Sequence, residues 1–474
     1  MKSSLVVWVA VLVIAVQGWA QPDTVWTHIY GQSSDDYSYV VQETPDGGVV
    51  VAGSMSSPFS CELVKTTGNG TRQWIRNLGP GSSYANDVRC TADGGYVLAG
   101  AVGTVGALVL KTDSSGAQSW SRTLVHDHAV FASVFPRSDG SYMAAGHRDI
   151  ATSLSGVYYA RLDSAGNAMW ERTLSRTASP ALSLTLDAAC ATPDGGFVGA
   201  GTVDTVDAII NEDFYIIRVN GAGDTLWTRS IGGAYRQGAR SVQATGDGYV
   251  IGGFDNRGSS FCPHVVKVSE SGEVLWNRVI TTVGSVTCAA AYEIEGGDLI
   301  ISGTLLAGAT GVPDFYLARV APNDTVLWSR RYGSGTADWV EDMKLMSDGG
   351  CVITGRTQAF GAAGWDFYVV RTSAVHTTAD AGPQRAVPVS LTLTSYPNPF
   401  NATAAIEYSV PQTERVALRV YDVLGREVAT LADGAQTAGV HSLTFDGAHL
   451  PSGIYFARLQ AGQAVQTRKM MLLK

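Results

Sequence analysis

The chain has 474 residues, only 16% of them charged, with 54 glycines and a net charge of −9. That length accommodates a large repeat domain plus a smaller one, and the lack of clustered Lys and Arg excludes a non-specific nucleic-acid binder, which must neutralise phosphates. Apolar residues fall in short Val, Ile and Leu alternations instead of long helical stripes, so the composition predicts an all-β fold with many turns.

The first twenty residues have the layout of a signal peptide. Lys2 gives a positive start, Leu5 to Val16 is apolar, and Gly18 and Ala20 are the small residues before a cut after Ala20. An apolar core of about 12 residues is short for a membrane span, which needs roughly 20. The six cysteines of an exported chain could form disulfides, with Cys61/Cys90 and Cys262/Cys288 at similar offsets between repeats, or stay as buried thiols.

Behind the signal peptide stands DTVWTHIYG (Asp23 to Gly31), whose near copies recur as DTLWTRSIG (Asp224 to Gly232) and DTVLWSRRYG (Asp324 to Gly333). Two markers repeat with a period of about fifty residues. Acidic-Gly turns occur at Asp46, Asp93, Asp139, Asp194, Asp247, Glu295 and Asp348, and tryptophans at Trp26, Trp74, Trp120, Trp170, Trp227, Trp276 and Trp328. Each repeat carries four strand-like runs joined by tight turns, the signature of a propeller blade. The last repeat lacks its tryptophan strand while the chain begins with a lone one. Residues 23–31 are therefore expected to close the seventh blade of a propeller spanning 21–372. The tryptophans are expected to pack between blades or to cover the blade edge, with carbohydrate stacking as the alternative.

No catalytic motif such as G-x-S-x-G, H-E-x-x-H or a phosphate loop is present. TDSSGAQSW (Thr112 to Trp120) and LDSAGNAMW (Leu162 to Trp170) are similar to the Asp-box hairpin of sialidase-like propellers. The glycine and the tryptophan each fall one residue late, however, and no arginine trio with a tyrosine nucleophile can be assigned. His126, Asp127 and His128 form the one tight His/Asp cluster, on a connection between blades, where a solvated loop is the simpler reading than a metal site. Propellers bind ligands near the axis on the face where such connections meet. The charged and aromatic residues expected there are Asp36, Asp127, His128, Arg236, Arg240, Asp338, Trp339 and Glu341. The expected role is a binding or interaction module for an extracellular glycan or protein. The alternatives are a glycan-active enzyme with Asp36 and Asp338 as its acid/base pair, or a structural surface component. No catalytic residue, cofactor or metal is assigned, calcium having no dense ligand loop to bind it.

After residue 372 the pattern stops, and 373–389 is rich in Pro, Ala and Thr, as a linker would be. Residues 390–474 alternate as a small β-sandwich. YPNPFN (Tyr396 to Asn401), YDVLGREVATL (Tyr421 to Leu431), LPSGIYFARL (Leu450 to Leu459) and the terminal KMMLLK together resemble the type IX (Por) secretion system C-terminal sorting domain, related to the FlgD Ig-like fold. The resemblance implies an Ig-like sandwich and, as partner, the type IX secretion machinery of a Gram-negative bacterium. It also implies a secreted or cell-surface destination, reached with the domain removed or exchanged for a lipopolysaccharide anchor. Its motif residues fall here on Pro397, Asn398, Pro399, Gly425, Gly453, Tyr455 and the Lys469 to Lys474 tail.

Overall fold

The computed structural model describes residues 22–31, 35–56, 59–151, 154–175, 182–205, 212–258, 260–306, 312–333, 336–358, 364–375, 392–396, 400–410, 414–436, 439–462 and 464–473. The signal-peptide expectation, and the linker expectation from residue 376 on, lie outside them.

Seven antiparallel sheets follow one another along the chain, six of them built in sequence order with four strands each, the first strand being split in two in the fourth sheet, and the seventh completed by the N-terminal strand; their first strands neighbour one another around a common axis. This is a seven-bladed propeller, numbered here from the blade that starts at Asp36. In blade 7 the first three strands are Asp338–Leu345, Cys351–Thr357 and Asp366–Thr372, and the fourth is the N-terminal strand Thr24–Tyr30. Its register runs from Thr24 opposite Thr372 to Tyr30 opposite Phe367. The two chain ends are thus joined only by non-covalent pairing. Where other blades have a turn between third and fourth strands, Ser373 N–H donates to the Asp23 carbonyl and Asp23 N–H to Ser373 Oγ, both at 2.8 Å. Ser373 and the buried Val375, expected in the linker, belong to the folded body.

Two repeated devices explain why the sequence folds this way. The first is an ion pair: the acidic residue of each first turn meets a Lys or Arg near the end of the third strand. The pairs are Asp46–Lys65, Asp93–Lys111, Asp139–Arg161, Asp194–Arg218, Asp247–Lys267, Asp298–Arg319 and Asp348–Arg371. Lys111 donates to both Asp93 oxygens and holds that carboxyl down at about 2. In blade 6 the partner is Asp298, not the Glu295 that the turn pattern singles out, because Glu295–Gly297 winds into a 3-10 turn that moves the acid three residues on. That pair is also the most enclosed, with side chains 4% and 11% exposed. Arg319→Met should therefore cost about 3 kcal/mol or more by stranding Asp298, whereas Arg161→Met, whose partner Asp139 is half-exposed, should cost under about 1 kcal/mol. Urea unfolding of the two variants checks this difference.

The second device is the tryptophan. Trp26, Trp74, Trp120, Trp170 and Trp227 each lie on the second hairpin of the following blade, so closely that a Cβ on Gly70, Gly116, Gly166, Gly223 or Gly272 would sit 2.6–2.8 Å from the ring. Trp26 Nε1 donates to the Gly68 carbonyl and Trp227 Nε1 to that of Glu270, both at 2.9 Å. The N-terminal strand thus carries the same staple from blade 7 to blade 1. The six cysteines are all free, and burial pushes the Cys61, Cys288 and Cys351 thiols up to about 12.

The C-terminal domain packs a sheet of Thr392–Tyr396, Thr403–Val410 and Gly439–Asp446 against a sheet of Glu427–Gln436, Glu414–Asp422, Gly453–Ala461 and Ala464–Leu472. Phe400, Tyr408, Phe445 and Tyr455 fill the core between them. It is a β-sandwich, as the alternation predicts.

Candidate functional site

Each innermost strand starts at the between-blade connection and ends at the acidic-Gly turn. In six blades it carries a β-bulge at the same place, so that one residue opposes nothing on the second strand. The bulged residues are Tyr39, Asn86, Ala132, Arg240, Ala289 and Glu341. In blade 4 the interruption is wider and splits the strand into Leu182–Leu184 and Ala188–Ala191, with Asp187 at the equivalent point. Against every bulge lies a glycine of the second strand. A Cβ on Gly53, Gly100, Gly146, Gly201, Gly253, Gly303 or Gly355 would fall 1.8–2.3 Å from a carbonyl oxygen of the innermost strand.

The bulges turn side chains towards the axis, around a cavity of about 510 Å3 lined by six of the seven innermost strands. Its wall carries Tyr39, Asn86, Asp187, Arg240 and Glu341, with Arg89 and Lys344 nearer the turn face. Asp87 ties blade 2 to blade 3 by accepting the Val134 N–H at 2.9 Å, and it holds Arg89 at 3.1 Å. Asp342 does the same between blades 7 and 1, accepting the Val41 N–H at 3.1 Å and holding Lys344 at 2.8 Å. These groups are framework, already spent on neighbours. Burial raises the Asp187 and Glu341 carboxyls above the ordinary range, offset in part at Asp187 by Arg240, 4.0 Å away, and at Glu341 first by Arg356, with which it pairs at 3.4 Å, and then by Arg240.

The structure brings two of the eight expected axial residues, Arg240 and Glu341, to the cavity. Trp339 is half-buried on the same innermost strand, opposite Arg356, whose guanidinium lies over Tyr37 and Trp365. Arg236 is exposed and spent on a two-pronged pair with Glu212 at 2.6 and 2.7 Å. Asp127 and His128 are exposed on their connection. His126 has both ring nitrogens occupied, by Arg148 and by Glu171, each at 2.7 Å. Asp36 and Asp338 require a correction: both are fully buried, and they lie at different seams. Asp36 converges with Asp366 on Gly31, and Asp338 with Asp314 on Gly333. The residue three before each bulge point is buried in all seven blades, and here Asp36 and Asp338 lie between different pairs of blades, so these two do not face each other as an acid/base pair. Among the described residues no group of three His, Cys, Asp or Glu is arranged to hold a metal.

Sequence reading missed Tyr39, Asn86 and Asp187. Aligning the repeats would have exposed them as the variable point of an otherwise repeated strand, but the bulge shifts the inward phase and hides it from simple alternation.

Among the sorting-motif residues, Gly425 adopts φ +77° at a hairpin tip, where Asp422 Oδ1 accepts the Leu424 and Arg426 N–H groups at 2.9 and 3.0 Å. Gly453 opens a strand, and Tyr455 is buried with its hydroxyl donating to the Pro451 carbonyl at 2.8 Å. Lys469 is exposed on an edge strand. Pro397, Asn398, Pro399 and Lys474 lie outside the described residues.

Residues 394–473 match the family described as secretion system C-terminal sorting domain. No curated protein matches the chain. Solved structures similar to it include PorZ, described as an essential surface component of the type IX secretion system of Porphyromonas gingivalis (TM-score 0.42, 10% identity, 94% of this chain and 60% of that one). Others are Sqt1 of Chaetomium thermophilum (0.45, 10%, 75% and 100%) and the β-propeller domain of the Trilobed protease of Pyrococcus furiosus (0.39, 10%, 68% and 91%). This chain therefore spans 60% of the length of PorZ, and at these scores the likenesses say nothing of its ligand or activity. Residues 394–473 are a secretion system C-terminal sorting domain behind a seven-bladed propeller, and the chain is exported by the type IX route to the surface or surroundings of a Gram-negative bacterium.

Proposed function

We propose that the exported propeller is a binding module whose extracellular ligand, a glycan or a protein segment, enters the axial cavity from the face of the between-blade connections. In this reading residues 21–372 form the binding body, and 390–474 deliver it. One observation carries the proposal. Six bulge positions share one backbone geometry and the wider break of blade 4 stands at the same point, yet the seven hold Tyr39, Asn86, Ala132, Asp187, Arg240, Ala289 and Glu341. Packing demands repeat with the blades, whereas recognition of an asymmetric ligand does not. Two carboxyls raised by burial, Asp187 and Glu341, also give the glycan-cleaving alternative its best candidates, in place of Asp36 and Asp338.

The test is a screen of the full chain on glycan and peptide arrays, followed by the double variant Arg240→Ala/Glu341→Ala. A discrete ligand should lose at least about tenfold in affinity, roughly 1.4 kcal/mol, while the melting temperature holds within a few degrees, because neither side chain is in the core. Incubating that ligand with protein reads turnover directly. Silence on both arrays, or a ligand indifferent to the double variant, would remove the axial-site reading.

A further inference from the structure

Sevenfold repetition allows each core position to be compared with six counterparts. Three residues before the turn-pairing Lys or Arg, the third strands carry Glu62, Leu108, Tyr158, Tyr215, His264, Tyr316 and Tyr368. All seven are buried, and Glu62 is the one acid. It is fully buried, and neither carboxyl oxygen has a hydrogen-bond partner. An ionised carboxylate in that condition is among the costliest groups a core can hold.

The position matters as much as the residue. Val64, on the same face of the strand, packs with Tyr30 of the N-terminal strand and with Phe367 and Val369 of blade 7. Glu62 therefore faces blade 7 at the seam that the N-terminal strand borders, the one strand held in its blade without a peptide connection to the strand it pairs with. The groups around it come from every element packed there: Asp36 on the innermost strand of blade 1, Asp366 on the third strand of blade 7, Arg72 on the fourth strand of blade 1, and Tyr30 on the closing strand, with Asp35 beside Asp366. Two of the charged groups that act on Glu62, Asp36 and Asp366, are carboxyls that oppose its ionisation, and Arg72 is the one that favours it.

We propose that this seam is a pH-sensitive latch: Glu62 keeps its proton in the closed ring and releases it to solvent as the medium turns alkaline, and the bare carboxylate loosens the N-terminal strand. Burial first, and then the charge of Asp36, push the Glu62 carboxyl up to about 8, with Arg72 opposing. Burial, Asp36 and Asp35 push Asp366 up to about 6. A folded-state pKa above the unfolded value means that the closed ring binds the proton more tightly than the open chain. The stability tied to Glu62 is therefore complete below its ordinary value near 4.5 and is lost as pH rises through about 8. The other six seams carry Tyr, Leu or His at this position, and none a carboxyl.

Hydrogen exchange of the full chain, read on the Thr24–Tyr30 amides against those of the outer strand Gln118–Val125 in the same molecule, tests the latch. Between pH 6 and pH 9 the protection of the N-terminal strand should fall by at least about tenfold relative to the reference strand, because the closed ring's preference for the protonated carboxyl is used up across that interval. Glu62→Gln, which keeps the shape without the charge, should erase that fall. Glu62→Tyr, the residue of four counterparts, should do the same if the glutamine disturbs packing. Equal protection of the two strands at every pH, or an undiminished fall in both variants, would overturn the proposal.

Discussion

Deleting residues 22–31 should leave a chain that no longer folds as a soluble, cooperative propeller. The N-terminal strand pairs along blade 7 from Thr24 to Tyr30, buries Tyr30, and places Trp26 on the Gly70 hairpin of blade 1. Removing Trp26, Ile29 and Tyr30 alone forfeits apolar burial worth about 5 kcal/mol or more. It also uncovers the edge of Asp366–Thr372, a fully buried strand, which then becomes a template for pairing with other chains. Calorimetry and size-exclusion chromatography should show a lost or strongly lowered transition together with oligomers. Adding back a peptide of residues 22–31 should restore the monomer.

Gly303→Ala should be nearly as damaging, although it adds a single methyl group. The new Cβ would lie 1.9 Å from the Thr287 carbonyl oxygen and 2.8 Å from its carbon, in a backbone region any residue can otherwise adopt. Relief requires moving one of two buried strands at a bulge, which costs about 3 kcal/mol or more. Gly81→Ala, where a Cβ meets nothing within 4 Å, is the control and should stay within about 0.5 kcal/mol of the parent. Urea midpoints of the two variants give the comparison.

These two effects show what a sequence discloses and what it conceals. The ring and its closure could be read because tryptophan and acidic-Gly turns recur in a fixed order, and because the chain starts out of phase with that order. The bulge could not be read that way. Its glycine looks like any small residue inside GVVVAG or GYVLAG, and the close approach that demands it exists only once two strands have paired. The cations of the turn pairs were hidden likewise: Lys65 or Arg319 in an apolar run looks like an ordinary surface position, yet the side chains are 5% and 4% exposed. Asp36 and Asp338 misled for the converse reason. An aspartate after a connection suggests a solvent-facing loop, whereas the residue three before each bulge point is buried between blades.

The C-terminal domain was legible in a different manner, through ordered motifs more than through periodicity. Its structure supplies the reasons behind some of them. Gly425 is held at positive φ by a tip that Asp422 organises, and the exposed Val423 and Leu424 beside it leave the hairpin apolar at its end. Tyr455 is a core residue with its hydroxyl anchored, so its place in the motif is a packing demand.

The ring depends on its two ends meeting at Asp23 and Ser373. The most direct measurement is oxidation of an Asp23→Cys/Ser373→Cys variant in dilute solution, with the cross-link mapped by mass spectrometry. The two residues exchange hydrogen bonds at 2.8 Å, and the native thiols are largely enclosed. An intramolecular 23–373 disulfide should form in the monomer and raise its melting temperature, as a covalent closure of so long a loop does. Free thiols at both positions, or disulfides only between molecules, would contradict a ring closed by its N-terminal strand.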